Sequence, residues 1–466
     1  MAHPPAPRPS TPSHLRATAA ASLGTMFAAA GLAAPPRVEY LVDLTQTHTQ
    51  TVGVTLVLRE VEAEEVRLEL PVWRPGRYVV LDPAGTIRTV HAADGAGNPL
   101  DIEKVRKSSW IVRTGGASEV RVTYDLYANS LNDRTRHADD THAFLSGSSV
   151  LMFWPDRRDE PCEVTLTMPE HWRIASGMPA APGRPGTLLA PNYDVLVDSP
   201  IEAGVHERID FDVDGMPFEI IIWGHDTFDR ERLARDFRAL CSAQIELFGS
   251  IPCDRYVFLI HIAPGAGGGT EHLNSTIMQT RPGFMSSKDR YLGFLGLTSH
   301  EFFHTWNVKS FRPAGIHPYD YTQENYTDLL WLVEGSTSYY DDLLLVRAKL
   351  MDEKDYFKRL ESAINDDLAR PGRAVQSLAD SSFDAWIKFN RSHADTNNST
   401  VNFYSRGALV SAMLDLEIRR QSENRHSFDD VMRALYKRFP LDGPGFSEAD
   451  VISICSQYAG TPDVIE

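Results

Sequence analysis

Apolar and polar residues alternate along the chain from about Arg37 to Val205. Val38, Tyr40, Val42 and Leu44 fall on one side of an extended backbone, and Val52, Val54, Leu56 and Leu58 repeat the pattern. Residues 66–70, 120–124 and 163–168 do so again. Successive side chains of a strand point to opposite faces, so period two over short runs predicts strands with one buried face. Pro-Gly and Gly-rich turns separate these runs, which predicts an antiparallel β domain over residues 37–205. No internal repeat and no catalytic constellation is visible in it.

The period then changes. Residues 218–223 read as a strand, residues 228–248 as a helix, and residues 256–262 as a mostly apolar strand. A loop with Gly265 and Gly267-Gly268-Gly269 follows. From about Lys288 onward helical spacing dominates, over residues 291–308, 326–349, 353–369, 404–421 and 427–438. The expected fold class is therefore α+β. An N-terminal antiparallel β domain precedes an α+β lobe (residues 206–312) and a helical lobe (residues 313–466).

Residues 1–36 stand apart. Arg8 and Arg16 precede an uncharged, Ala-rich stretch over residues 17–34, and no acid occurs before it. This pattern is that of a secretory signal, with a disordered tail as the alternative. The expectation is export to a periplasm-like space, or a cytoplasmic protein if the segment is no signal. No other run is long and apolar enough to suggest membrane insertion.

Composition narrows the function. The chain is 42% hydrophobic and 23% charged, as soluble globular proteins are, and 466 residues leave room for two or three domains. A net charge of −17 argues against nucleic-acid binding, which needs a basic surface. The four cysteines, Cys162, Cys241, Cys253 and Cys455, form no CxxC pair. They are expected to be mostly buried thiols, although Cys241 and Cys253 are close enough in sequence to bridge.

The chemistry concentrates in His300-Glu301-Phe302-Phe303-His304 and in Glu334, within Trp331-Leu332-Val333-Glu334-Gly335. Positions four apart share a helix face, so both imidazoles can aim at one point. His300, His304 and Glu334 make a ligand set for one Zn²⁺, with a fourth position left for water. Glu301 sits beside that water as general base. The apolar flanks Leu295, Leu297, Phe302, Phe303 and Trp306 make an unpartnered polar face costly. A capping box at Thr298-Ser299-His300-Glu301 would give Glu301 a structural role, but the apolar helical pattern begins earlier. Asp341 lies on the helix face of Glu334 and can orient a ligand, or be an ordinary surface acid. These residues indicate a metallopeptidase.

The run from His300 to Lys309, ending in Arg312-Pro313, resembles the glycyl aminopeptidase family of gluzincin zinc metallopeptidases. So do Glu334-Gly335-Ser336-Thr337-Ser338-Tyr339-Tyr340 and, in the β region, the run from Leu70 to Tyr78. The resemblance covers most of residues 37–460. It implies a thermolysin-like zinc fold, related to aminopeptidase N-type enzymes, that removes N-terminal residues from peptides with Gly or Ala favoured. It places Gly268, Gly269 and Glu271 in a substrate-binding strand whose glutamate neutralises the free α-ammonium. The alternative for these three is a flexible turn with a solvated Glu271. It also makes Tyr404 the catalytic tyrosine donating to the oxyanion; packing is the alternative there, and Tyr339 and Tyr340 compete for the role.

Two departures stand out. Ser338 occupies the place where the gluzincin pattern has Asp, four residues after the third ligand. Relatives also often carry a C-terminal PDZ domain, for which this chain has no room after Glu466, whether by truncation or by nature. The rival functions are a zinc endopeptidase using the same chemistry and a non-catalytic peptide-binding protein with a vestigial site.

Overall fold

The computed structural model describes residues 36–461, so the N-terminal signal expectation lies outside the described residues. The alternating segments form strands as their period requires. In a nine-stranded sheet, Val38–Asp43 pairs antiparallel with Thr51–Arg59, setting Val38 opposite Leu58 and Val42 opposite Val54. These apolar rows are buried together with Leu56, Val120, Val122 and Tyr124. One pairing departs from the antiparallel expectation: Val38–Asp43 runs parallel to Cys162–Thr167. The two segments are distant in the chain, and the alternation of each is the same for either direction of pairing.

A four-stranded sheet, ordered Arg173–Ser176, Ile201–Gly204, His142–Leu145 and Arg136–Ala138, lies against a five-stranded one. Phe144 and Ala175 of the first pack with Ile221, Val257, Leu259 and Ile277 of the second. The second sheet is ordered Glu207–Val213, Met216–Gly224, Tyr256–Ile262, Ser275–Thr280 and Gly268–Glu271. Its central strand Tyr256–Ile262 is buried throughout, which explains its nearly continuous apolar sequence. The stretch expected as a Gly-rich loop supplies the edge strand Gly268–Glu271.

Helices Arg230–Phe248 and Lys288–Phe303 cover the other face of this sheet, with Phe237 edge-on to Phe258 and Phe302 edge-on to Tyr256. Ser287 caps the second helix by accepting from the Arg290 N–H. Thr298 is therefore interior and bonds back to the Phe294 carbonyl, so no capping box forms at Glu301. Beyond them come helices Ser336–Arg347, Glu353–Leu368, Phe403–Gln421, Phe428–Arg438 and Glu448–Ala459. The architecture is α+β, with a β-sheet domain first and a helical region last. All four cysteines are free thiols, and Cys162, Cys241 and Cys455 are buried. No helix among the described residues is long and apolar enough to cross a membrane.

Candidate metal centre and substrate cleft

His300 and Glu301 occupy the last turn of helix Lys288–Phe303, and His304 follows as its C-cap. Their Nε2 atoms are 3.1 Å apart. Each ring has an oxygen on its far side. The Asn307 carbonyl lies 2.8 Å from His304 Nδ1, which assigns the proton to that nitrogen and leaves Nε2 as a lone pair. His300 Nδ1 faces Asp341 Oδ2 at 3.5 Å. Asp341 thus supplies the outer carboxylate, and Ser338, where the gluzincin pattern has Asp, only lines the cleft.

Glu334 sits in a π-helical stretch, Trp331–Gly335, ahead of helix Ser336–Arg347. A π stretch widens the helix by one residue per turn and leaves carbonyls without their usual donors. Asn307 braces the stretch: its Nδ2 lies 3.2 Å from the Leu332 carbonyl, 3.0 Å from that of Val333 and 3.2 Å from Thr337 Oγ1. Glu334 Oε2 then lies 3.5 Å from His300 Nε2 and 3.2 Å from His304 Nε2. Burial pushes the Glu334 carboxyl up, but the two imidazoles outweigh it and hold it down at about 2.

This donor set fits a zinc ion. Ligands about 2.0–2.1 Å from a tetrahedral ion stand about 3.3 Å from one another. The separations here bracket that value, and two imidazole lone pairs with an anionic oxygen have a cation as their common partner.

Glu301 is buried beside them and takes no place in the ligand set. Burial pushes its carboxyl up to about 8, against the opposing pull of His300 and His304 and with help from Glu271. A bound cation draws such a group down again. Glu301 lies against the edge strand so closely that a Cβ at Gly269 would fall 2.4 Å from its Oε1. Only glycine permits that approach. Gly268, at φ +107°, turns the strand in at its start.

Glu271 ends the same strand, 4% exposed, and its Oε1 has no hydrogen-bond partner among the described residues. Burying a carboxylate oxygen without a partner is costly. Tyr404 opens helix Phe403–Gln421, its ring centroid 6.0 Å from that of His300. The backbones of this helix and of the Glu334 stretch nearly touch: a Cβ at Gly335 would fall 2.5 Å from Gly407 Cα. Tyr339 and Tyr340 turn away to Asp415 and Asp429, respectively. His300, Glu301, His304, Glu334, Glu271, Gly269 and Tyr404 thus line one cleft of about 420 Å³. Gly268 is set back at the strand's start.

The β domain also reaches the site. The Tyr78 hydroxyl donates to Glu334 Oε1 at 3.3 Å. Arg74, buried, donates to Thr270 Oγ1 on the edge strand. Gly76, at φ +82°, passes so near Glu271 that any Cβ would strike its carboxylate. The signal was the segment Leu70–Tyr78 itself, where Trp, Arg, Pro and Gly interrupt the strand alternation. A small cavity of about 10 Å³, lined by Trp73, Tyr78, Val308, Ile316 and Tyr319, abuts Glu271. Val308 is held there at φ +136°, which a β-branched residue rarely adopts.

Residues 39–205 match the family described as the Peptidase M61 N-terminal domain, and residues 293–410 match M61 glycyl aminopeptidase. No curated protein matches the chain. Among solved structures, an aminopeptidase N family protein from Idiomarina loihiensis is 33% identical, with a TM-score of 0.86, over 89% of this chain and 72% of that one. An M1 zinc metallopeptidase from Deinococcus radiodurans is 16% identical, with a TM-score of 0.52, over 92% of this chain and 91% of that one. The same fold appears in a mutant of the latter bound to a Tyr-Ser-Ala substrate, at 16% identity, TM-score 0.52 and 92% coverage of both chains.

Proposed function

Because the chain belongs to the M61 glycyl aminopeptidase family, and is thereby a metallopeptidase, we propose that it is a zinc-dependent aminopeptidase releasing N-terminal residues from peptides, Gly or Ala above others. The observation that carries the exopeptidase reading is the buried, unpartnered Oε1 of Glu271 at the end of an edge strand facing Glu301.

His300, His304 and Glu334 would hold one catalytic zinc ion. The chemistry such an ion supplies is Lewis acidity, lowering the pKa of water towards about 7 and polarising a carbonyl. The remaining work falls to the chain. The edge strand Gly268–Glu271 offers unpaired backbone groups to an extended peptide. Glu271 neutralises the α-ammonium and fixes the register, so that the first peptide bond lies over Glu301. Glu301 takes a proton from the attacking water and returns it to the leaving amine. Tyr404 donates to the oxygen that becomes negative as the carbonyl turns tetrahedral. The narrow cavity beside Glu271 supports a preference for small first residues. In this reading residues 37–205 roof the cleft, residues 206–312 carry the base and residues 313–466 the third ligand and the tyrosine.

The test compares a short glycine-initiated peptide with its N-acetylated twin. Cleavage of the free-amine form alone is expected, and Glu271→Ala should raise KM for it. Equal cleavage of both peptides overturns the aminopeptidase assignment in favour of an endopeptidase.

A further inference from the structure

A second convergence of imidazoles and carboxylates lies where the four-stranded sheet backs onto the five-stranded one, and the peptidase reaction makes no use of it. His137, Asp139 and His142 come from the hairpin joining Arg136–Ala138 to His142–Leu145. Each offers one ligand atom, and the three atoms lie within 4.8 Å of one another.

His142 is fully buried. Its Nδ1 lies 2.9 Å from Glu202 Oε1, and an ionised carboxylate only accepts, so Nδ1 carries the proton and Nε2 is a lone pair. That Nε2 is buried and has no partner among the described residues. Glu202 cannot turn away, because its Oε2 accepts from His261 Nε2 at 2.9 Å. Glu202 is thus clamped between the two imidazoles through separate oxygens. A fixed carboxylate behind a histidine whose other nitrogen is bare is how proteins orient metal-ligating imidazoles.

Asp139 is divided in the same way. Its Oδ1 shapes the turn by accepting from the Thr141 N–H at 2.7 Å, the Thr141 hydroxyl at 2.7 Å and the His142 N–H at 3.0 Å. Its Oδ2 faces His137 Nε2 at 3.4 Å. That is long for a charge-assisted hydrogen bond, about 2.7–2.9 Å, but close to the roughly 3.3 Å edge of a tetrahedral zinc site. It also falls within the 3.1–3.5 Å spacing of His300, His304 and Glu334. His137 is itself 92% buried, being 8% exposed, with Nδ1 unpartnered among the described residues.

We propose that His137, Asp139 and His142, with Glu202 orienting His142, form a second site for a divalent cation that prefers mixed nitrogen and oxygen donors, zinc above calcium or magnesium. Its role is structural. The same hairpin is preceded by Asp133, whose carboxylate accepts from Thr270 Oγ1 at 3.0 Å on the edge strand that carries Glu271. An ion here ties the hairpin down and so steadies that strand. Trp223 stacks on His142, with ring centroids 3.6 Å apart, and provides an optical reporter.

The full chain, stripped of metal and dialysed against Zn²⁺, should retain two ions by elemental mass spectrometry. The double variant His304→Ala/Glu334→Ala should retain one, and His137→Gln or Asp139→Asn should also retain one. Combining both sets should leave none. Co²⁺ should quench tryptophan fluorescence saturably in the His304→Ala/Glu334→Ala protein, and Trp223→Phe should abolish that quenching. Circular dichroism checks that each variant is folded. A single ion in the unaltered chain with none in His304→Ala/Glu334→Ala overturns the second site while leaving the first intact. Ions retained by the combined variant overturn it as well, by showing adventitious surface binding.

Discussion

Tyr78 and Glu334 are 256 residues apart in the chain, yet the phenol of one donates to Oε1 of the other at 3.3 Å. The bond engages the carboxylate oxygen that does not face His304, whose partner is Oε2. Tyr78 is wedged edge-on against Trp386 and Phe403, so its hydroxyl is presented from a fixed ring. The β domain therefore sets the rotation of Glu334, the proposed third metal ligand.

Tyr78→Phe should accordingly loosen metal more than it slows chemistry. We expect zinc affinity to fall by about 10–100-fold, with kcat at saturating zinc nearly preserved. Tyr404→Phe should do the reverse, lowering kcat by about 100-fold with zinc affinity unchanged. Zinc titrations combined with steady-state kinetics separate the two tyrosines.

Glu301→Gln keeps the shape of the side chain and removes the base. Zinc should be retained while kcat falls by about 10²–10⁴-fold. Elemental analysis and kinetics on one preparation test this, and undiminished turnover would remove Glu301 from the mechanism.

Gly269→Ala places a methyl group where the Glu301 carboxylate now lies, 2.4 Å from Oε1. Gly269 belongs to an edge strand, so the fold should survive with a small change in Tm. The base must move, and misplacement by about 1 Å costs about 100-fold in kcat/KM. Equal kcat/KM in the two proteins would show that the edge strand does not limit the position of Glu301.

Asp198 supplies a pH test away from the metal. Its Oδ1 pairs with buried Lys309 at 2.5 Å and with His272 Nδ1 at 3.2 Å, and its Oδ2 accepts from the Leu273 N–H at 3.0 Å. Burial pushes this carboxyl up, but Lys309 and His272 hold it at about 2. A carboxyl depressed in the fold stabilises fully above its unfolded pKa of about 3.9, and that contribution disappears as pH falls through about 2. Asp198→Asn, which strands the lysine, should cost about 3 kcal/mol at pH 7. The difference from the unaltered protein should shrink between about pH 4 and pH 2. Denaturant titrations across that range measure it, and a difference independent of pH would refute the pairing.

Local spacing made the proposed ligand set readable. The i, i+4 relation of His300 and His304 needs only a helix, and helix Lys288–Phe303 forms because its apolar positions recur at that period. Glu334 was readable as an acid among apolar neighbours, and the same helical period placed Asp341 on its face. Asn307 was not readable in its role, because the carbonyls it serves arise from a π stretch that no side-chain pattern announces. Nor was the parallel pairing of Val38–Asp43 with Cys162–Thr167, since alternation specifies a face and not a neighbour. Tyr78, Arg74 and Gly76 escaped for a third reason. Their roles depend on how a loop of the β domain meets the edge strand, a contact set by tertiary packing alone.

The contact of Gly335 with Gly407 has a consequence for how such an enzyme can diversify. It packs the segment of Glu334, the proposed third ligand, directly against the helix of Tyr404, the proposed oxyanion donor. In the proposed function the walls that would sense the first side chain, Trp73 from the β domain and Ile316 and Tyr319 from the helical region, come from other segments. On that proposal selectivity and reactivity would be inherited separately, and new preferences would be acquired by remodelling those walls while the hydrolytic engine is left as it is.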